Sequence, residues 1–219
     1  MKLNTIICSM AWLPLGLTLA APLAHAANPG ADVYVGGGLS FNRASGLGGK
    51  IDSTLANQGI AGSTSGDDSS TNPNLQLGYR ISPNLAVEAT YDRVGKMDLQ
   101  SNIGTPTADT ASGAWKGHGL GLHVLGIAPL DDKWSLYGRL GVERWHTSLD
   151  LASNAGGSTR YSASDSHTSL ALGAGAAYAV TRNIDATAEL VHYNHVGDAS
   201  STGRTGLNEF NLGLRYHFM

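Results

Sequence analysis

The chain has 219 residues, a formal net charge of −3 and a mean hydropathy of −0.10, and charged residues make up 14% of it. A net charge this close to zero gives no electrostatic reason to expect a nucleic-acid partner. The mean hydropathy is that of a soluble protein, but it does not exclude a membrane barrel, because strands that alternate polar and apolar residues average out.

The first 26 residues have the features of a secretory signal peptide. After a short positively charged start, the stretch from Met10 to Leu23 is mostly apolar, and Ala24-His25-Ala26 fits a small-x-small cleavage site. We therefore predict a signal peptide over residues 1–26 and a mature region over residues 27–219. The alternative, a retained transmembrane helix, fits less well because the apolar core is short.

The only cysteine, Cys8, lies inside the predicted signal peptide. The mature region is therefore expected to hold no disulfide and no thiolate site. Beyond residue 27, no window approaches the roughly 18 apolar residues that a transmembrane helix needs. An exported chain of this kind is periplasmic, secreted or an outer-membrane barrel, and the strand pattern decides between these classes.

Eight segments alternate apolar and polar residues with a period of two, as strands with one apolar face do. The apolar face carries no charge except at segment ends such as Arg144, and the opposite face carries charges of both signs. In a membrane barrel the apolar face meets lipid, where a charge near mid-bilayer costs roughly 2–4 kcal/mol. A soluble β-sandwich would place the same face inside. The apolar faces run over Val33–Phe41, Leu75–Ile81, Leu85–Tyr91, Leu120–Val124, Trp134–Val142, Leu170–Val180, Ile184–Leu190 and Phe210–Phe218.

The connections between these segments alternate between long and short, which a soluble meander does not predict. The long ones are 43–72, 95–114, 147–166 and 194–207, and the short ones are Ser82-Pro83-Asn84, Ala128 to Asp132 and Thr181-Arg182-Asn183. Outer-membrane barrels have short periplasmic turns and longer extracellular loops. We predict an all-β fold, an eight-stranded antiparallel up-and-down transmembrane barrel in the outer membrane, with both termini periplasmic. The long connections are rich in Gly, Ser, Thr, Asn and Asp, so we expect them to be mobile and to form no core of their own.

Four stretches of the chain are similar to one family of outer-membrane proteins. They are Leu75 to Met97, Trp115 to Trp145 with its APLDD turn and LYGRLG run, Gly175 to Ala199, and the ending NLGLRYHF. Together they resemble the OmpA transmembrane domain over most of residues 73–219. The resemblance implies an eight-stranded barrel in a Gram-negative outer membrane, in a family whose members mostly serve structure, adhesion and recognition, while some form small pores. The peptidoglycan-binding domain of full-length members is not expected here, so envelope anchoring is not carried over.

The resemblance also implies an interior ion-pair network that gates a narrow water path. Glu88, Arg139 and Glu189 have the family's residue types at those positions, whereas other network positions read Leu125 and Ala177, with Thr187 at a third. We expect the charges to pair and to fill the lumen, because an eight-stranded barrel is just wide enough for side chains. The predicted lumen network is Arg80, Glu88, Asp92, Arg139, Glu143, Asp185, Glu189 and Arg215.

The expected partners follow from this location. Barrels of the family end on an aromatic residue that the assembly machinery reads, so Tyr216 and Phe218 are the predicted assembly signal, although Met219 follows them. Periplasmic chaperones, outer-membrane lipids and lipopolysaccharide, and host or phage surface ligands are the other expected partners. Cations near the outer rim either contact lipopolysaccharide phosphates or merely keep the surface soluble. These cations are Arg43, Lys50, Lys116, Arg144, Arg160 and Arg204.

Catalytic and metal chemistry receive little support. The pairs in His146-Thr147-Ser148 and His167-Thr168-Ser169 share a strand face, as in a lipid A deacylase, but no acidic partner is expected nearby. His192 and His195 need not converge on a metal, and Asp67-Asp68 reads as a solvated turn. We predict a monomeric, non-enzymatic barrel without cofactor, with a role in envelope integrity and adhesion. The alternatives are a narrow small-solute pore and, third, a lipid A-modifying enzyme.

Overall fold

The computed structural model of the protein describes residues 32–105, 107–154, 156–157 and 160–218. The predicted signal peptide and Met219 lie outside these residues. The described chain forms nine strands and one helix. They are β1 (Asp32–Ala44), α1 (Leu47–Asn57), β2 (Ala61–Gly66), β3 (Ser69–Ser82), β4 (Leu85–Thr105), β5 (Asp109–Pro129), β6 (Trp134–Ser153), β7 (Arg160–Ala179), β8 (Ile184–Val196) and β9 (Thr205–Phe218).

Eight of the nine strands close into one antiparallel ring. Strands β3 to β8 each pair with the next strand along the chain, and β1 pairs with both β3 and β9. First and last strands therefore meet, and the ring has no open edge whose backbone groups would lack partners in lipid. The predicted all-β, eight-stranded antiparallel barrel is confirmed. The ninth strand, β2, pairs with the far half of β4, from Leu99 to Thr105, outside the ring.

The two faces of the strands separate as the sequence pattern predicts. The apolar positions point outward; Leu75, Leu122 and Leu172, for example, are 60%, 63% and 64% exposed. The charged positions point into the lumen, where Glu88 and Arg139 are buried. The barrel is thus apolar outside and polar inside, the polarity that a lipid surrounding requires.

The loop end of the barrel, where the long connections lie, is far more ordered than the sequence suggests. Strands β4 to β7 are 20–21 residues long, while about 9–11 residues suffice to cross a bilayer. The predicted loops 95–114 and 147–166 are therefore mostly paired strand, and the predicted loop 43–72 contains α1 and β2. The expectation that these connections form no core was wrong, because their inward positions are apolar and pack together.

The opposite end, called the turn end here, is closed by short connections. The turn between β5 and β6 is fixed by Asp131, whose carboxylate accepts hydrogen bonds from the backbone N–H groups of Lys133 and Trp134, both at 2.7 Å. These two bonds lower the pKa of Asp131 from its ordinary value. Within the described part of the chain, no helix has the length and apolar character needed to cross a membrane.

Candidate functional site

A charge cluster lies midway along the lumen, on inward positions of four strands. Arg139 on β6 donates to Glu88 on β4 at 2.5 Å and to both carboxylate oxygens of Glu189 on β8 at 2.5 and 3.0 Å. Arg215 on β9 lies 3.4 Å from the second Glu88 oxygen. The Tyr34 hydroxyl on β1 donates to that oxygen at 2.9 Å. Two arginines thus balance two carboxylates, as burial requires.

The predicted network of eight residues is divided in the structure. Asp185 lies at the turn end and contacts His217 at 3.1 Å, while the other ring nitrogen of His217 lies 2.8 Å from Asp32. Asp32, Asp185 and His217 line a recess at the turn end. Arg80 also lines this recess but forms no ion pair with any described residue. His217 and Asp32 are absent from the sequence-based prediction, although His217 occupies an inward position two residues after Arg215.

Asp92 and Glu143, also predicted members, lie on the other side of the central cluster, toward the loop end. Glu143 is 3.7 Å from His123 on the neighbouring strand, and both side chains are fully buried. Glu209 completes this group on β9, where its carboxylate accepts a hydrogen bond from Asn211 at 2.7 Å. Within the described residues, only Glu88, Arg139, Glu189 and Arg215 of the predicted set are therefore paired with one another.

The lumen around these charges is filled. A cavity of about 20 Å³ lies beside Arg139, Glu189 and Tyr193, and a space of this size holds roughly one water molecule. On the turn side, the guanidinium of Arg215 stacks 4.7 Å from the ring centre of Tyr137. Leu125, Ala177 and Thr187, which stand where the family resemblance implies further residues of the ion-pair network, are buried. A compact apolar cluster of Tyr34, Ala86, Leu125, Ile127, Tyr137 and Ala177 fills this half of the lumen.

The loop end is sealed by an apolar cap built around α1. One face of this helix, formed by Leu47, Ile51 and Leu55, is at most 2% exposed. It packs against a cluster that includes Trp115 and Trp145, both fully buried on inward positions of β5 and β6. We use the name cap for α1 together with the segment 197–204 that folds beside it.

Segment 197–204 is held by hydrogen bonds from α1 and from three barrel strands, β5, β6 and β7. The indole N–H of Trp115 donates to the Thr202 carbonyl at 3.1 Å, and the Tyr161 hydroxyl donates to the Ser201 carbonyl at 2.7 Å. Thr54 on α1 donates to the Ala199 carbonyl at 3.0 Å, and the Thr147 and Thr202 hydroxyls lie 3.1 Å apart. Directed bonds of this kind hold the segment in one place over the mouth of the barrel.

The sequence contains a helical pattern that predicts α1 and that differs from the two-residue alternation of the strands. Leu47, Ile51 and Leu55 are spaced at i, i+4 and i+8, which places them on one face of a helix. Gly46 begins the helix with a φ of 64°, a left-handed conformation that favours glycine. This helical spacing lies in a Gly- and Ser-rich connection, where it is easily read as part of a loop.

The candidate catalytic and metal residues do not assemble. His146 and Ser148 face outward, and the His146 ring contacts Ser166 of the next strand at 3.0 Å. His192 contacts Asn208 at 2.8 Å. Among the described residues, no group of three or more His, Cys, Asp or Glu side chains is arranged to hold a metal ion.

The predicted assembly signal lies on the lipid-facing side of β9. Tyr216 and Phe218 are 46% and 54% exposed. Their ring centres lie 5.0 Å apart in an edge-to-face arrangement. The pair therefore presents an apolar aromatic surface at the turn end of the last strand.

Comparison with known protein families gives the identity of the fold. The sequence model of the OmpA-like transmembrane domain matches residues 25–219, which include the whole of the predicted mature region, 27–219. The chain belongs to this family. The predicted outer-membrane location is confirmed at this level, because the curated relatives are outer-membrane proteins.

This OmpA-like chain is similar in sequence to curated outer-membrane proteins and similar in fold to solved barrel structures. Outer membrane protein A of Shigella flexneri is 30% identical over 142 residues, which cover 64% of this chain and 38% of that protein. The chain thus aligns with well under half of that relative's length. Two solved structures share the fold. Neisserial surface protein A is 20% identical, with a TM-score of 0.56 over 86% of this chain and 99% of that one. Ail of Yersinia pestis is 18% identical, with a TM-score of 0.51 over 86% of this chain and 99% of that one.

Proposed function

We propose that the chain is a non-conducting outer-membrane barrel that presents its folded loop end at the cell surface for recognition and adhesion. The observation that carries the proposal is the cap, because α1 and segment 197–204 close the mouth that a pore would leave open. A scaffold role in envelope integrity requires only the closed barrel. Recognition requires an ordered surface, and the long strands β4 to β7 supply one.

The rival function, a narrow pore for small solutes, meets two barriers in series. The first is the paired cluster of Glu88, Arg139 and Glu189 with its cavity of about 20 Å³. The second is the apolar cap with fully buried Trp115 and Trp145. An ion that crossed both would have to displace ion pairs and enter an apolar layer, and each step is strongly unfavourable.

In the proposed orientation the loop end faces the exterior, and the short turns and both termini face the periplasm. Short periplasmic turns and longer outer connections are the rule in bacterial barrels. Tyr216 and Phe218 would then be available to the periplasmic assembly machinery and its chaperones as the strand end arrives. The barrel is expected to work as a monomer, with its whole apolar circumference in contact with lipid.

The exterior of the loop end favours polar ligands. A recess of about 940 Å³ lies on the outer faces of β4 to β7, and its lining includes Lys96, Asp98, Gln100, Asp150 and Arg160. Charged and amide side chains in such a recess bind sugars, peptides or other polar surface groups better than apolar compounds. We therefore propose host or phage surface molecules as the ligand class. No enzymatic step is proposed, because among the described residues no carboxylate forms a hydrogen bond or ion pair with His146 or His167, and Asp198 interacts with His167 only at longer range.

Two measurements test the proposal. The refolded chain in planar lipid bilayers is expected to show no discrete conductance steps, and the double variant Ile51→Asp with Arg139→Ala is expected to leak because it weakens both barriers. Steady conductance of the unaltered chain would contradict the scaffold role.

The orientation is tested by cysteine labelling, because the predicted mature region lacks cysteine. An impermeant maleimide is expected to label Asn102→Cys in intact cells and Asp132→Cys only after permeabilisation. The reverse pattern would overturn the orientation.

Recognition itself is tested with the chain in lipid nanodiscs on arrays of surface glycans and peptides. The expected result is retention on particular polar spots by the unaltered chain, and reduced retention by Gln100→Ala with Arg160→Ala, which changes the recess. A matched control, Asp132→Ala with Arg182→Ala at the turn end, should bind as the unaltered chain does. Equal retention of the unaltered chain and of both double variants would contradict the assignment of this recess as the binding surface.

A further inference from the structure

Cationic side chains are concentrated on one side of the barrel, immediately beyond the lipid-facing band. On three adjacent strands the last outward apolar residues are Tyr91, Leu120 and Val142, and all three are exposed. The next outward residue on each strand is Arg93 on β4, His118 on β5 and Arg144 on β6. The register pairs Arg93 with His118, and His118 with His146, two residues beyond Arg144. One further step outward adds Lys116 on β5.

The rest of the rim differs in charge. The corresponding position is the first outward residue beyond the apolar band. There β3 has Thr71, β7 has Thr168 and β9 has Asn208. On β8 it is His192, whose ring contacts Asn208 at 2.8 Å. On β1 the equivalent residue is Arg43, whose guanidinium is paired with Asp68 at 3.6 Å. The unpaired arginines of the rim are thus gathered on the β4–β6 side.

A bulge in β4 shapes a recess among these cations. The pairing of β4 with β5 shifts between Val94 and Met97, and such a bulge redirects side chains and opens the local surface. The recess has a volume of about 470 Å³. Its polar lining consists of Arg93, Lys96, Lys116, His118, His146 and Ser148. The rings of His118 and His146 stand side by side there, with their centres 5.3 Å apart.

Positive charge at this place is only partly compensated. Lys96 is paired with Asp98 at 2.7 Å, and Lys116 lies 4.0 Å from Asp150. Neither Arg93 nor Arg144 has a carboxylate within 4 Å among the residues that the structure describes. Guanidinium groups bind phosphate through two parallel N–H bonds, and imidazole N–H groups add further donors.

We propose that this rim recess, lined by Arg93, Lys116, His118 and His146, binds the phosphate groups of an anionic glycolipid in the outer leaflet together with Arg144, which lies beside the recess on the rim. The position of the recess at the edge of the apolar band favours a lipid as the ligand. The apolar residues next to it on the same strands contact acyl chains, and its basic side chains contact the headgroup. The inference rests on the proposed orientation of the loop end. Of the six rim cations expected from the sequence to contact lipopolysaccharide, Lys116 lines this recess, Arg144 lies beside it and Arg43 lies elsewhere on the rim.

Native mass spectrometry of the chain in phosphatidylcholine nanodiscs with a minor fraction of bisphosphorylated lipid A tests the site. The unaltered chain is expected to retain the phosphorylated lipid and to release a matched lipid A without phosphates. The double variant Arg93→Gln with Arg144→Gln is expected to weaken retention about tenfold, the equivalent of losing roughly one strong contact. The matched control, Arg43→Gln with Lys50→Gln, removes the same charge elsewhere on the loop end and is expected to bind as the unaltered chain does.

Three results would overturn the site: undiminished retention by the Arg93/Arg144 variant, an equal loss in the control, or retention of the phosphate-free lipid. Correct folding of each variant is verified by its heat-modifiable mobility on SDS gels. Because nanodiscs expose both membrane faces to the same lipid, lipid retention does not depend on orientation. Failure of the site is therefore distinguishable from failure of the orientation, which maleimide labelling measures separately.

Discussion

At the scale of single residues, Arg139 is the most consequential side chain of the lumen. Its guanidinium is shared by Glu88 and Glu189, which come from strands on either side of the barrel. All three side chains are at most 5% exposed. The residue types of this trio were visible in the sequence through the family resemblance. The partners of Asp92, Glu143 and Asp185 were not, because register decides which inward residues meet and alternation does not fix the register.

The substitution Arg139→Ala leaves two buried carboxylates without their shared cation. We expect it to lower the free energy of unfolding by about 3–5 kcal/mol. Urea unfolding in lipid vesicles, followed by tryptophan fluorescence, measures the change. The control Arg182→Ala removes an exposed arginine from the turn before β8 and should alter stability little. Equal stability of the two variants would show that the ion pairs contribute nothing.

Asp198 in the cap offers a test by titration. The Ser200 hydroxyl and the Ser200 N–H, the latter at 2.7 Å, donate to its carboxylate and lower its pKa, with a smaller contribution from Arg204 at 3.9 Å. Because the folded-state pKa is lowered, ionised Asp198 stabilises segment 197–204 above its unfolded pKa of about 3.9. That contribution is lost as the pH falls through the folded-state pKa.

The variant Ser200→Ala removes the hydroxyl donor, so we expect the Asp198 pKa to rise toward its ordinary value. Carboxyl-carbon NMR of the labelled chain in micelles measures it. Ser164→Ala, at an exposed position on β7, is the matched control and should leave the titration unchanged. An Asp198 pKa that is the same in both variants would contradict the assigned hydrogen bonds.

At the scale of elements, the eight barrel strands and three tight turns are predictable from alternation and connection length. The loop-end elements are not, because their outward faces are polar and rich in small residues, a composition typical of mobile loops. Paired backbone groups do not require apolar side chains on both faces. The inward faces carry the missing information. On β6, Leu149 and Leu151 continue the two-residue period beyond the lipid band. On β4, Leu99 and Ile103 resume it after the bulge between Val94 and Met97, which shifts the inward positions by one residue.

The cap is tested with Ile51→Ala, which deletes buried apolar atoms from the centre of α1. Alanine is a better helix former than isoleucine, so any destabilisation comes from lost packing, for which we expect about 2–5 kcal/mol. Limited proteolysis should then cleave the chain within residues 44–60. The exposed substitution Asn57→Ala on the same helix should leave the cap resistant. Equal cleavage of both variants would show that α1 is not packed over the barrel mouth.

At the scale of the whole molecule, the barrel is inside-out relative to a soluble protein, and this polarity has a measurable consequence on β3. Leu77, at the middle of the outward apolar run from Pro73 to Ile81, is 57% exposed. We expect Leu77→Arg to lower the free energy of unfolding in vesicles by roughly 2–4 kcal/mol, because the charge sits near mid-bilayer. Thr71→Arg, on the same face beyond the band, is the matched control and should cost about 0–1 kcal/mol.

If Leu77→Arg and Thr71→Arg were equally stable in vesicles, the outward face of β3 would not be in lipid. A gradient between them would instead locate the edge of the apolar band on this strand. The same pair in detergent should show a smaller difference, since detergent adapts its thickness to the protein.

Hydrogen exchange in lipid nanodiscs, resolved by mass spectrometry, is the most direct measurement of a folded and sealed loop end. Amides of α1, of β2 and of the outer halves of β4 to β7 are expected to exchange slowly, because their hydrogen bonds are paired and their inward side chains are buried. Peptides from residues 44–60 and 197–204 are diagnostic. Exchange there at the rate of an unstructured chain, beside a protected barrel, would contradict the cap and with it the proposal of a closed scaffold.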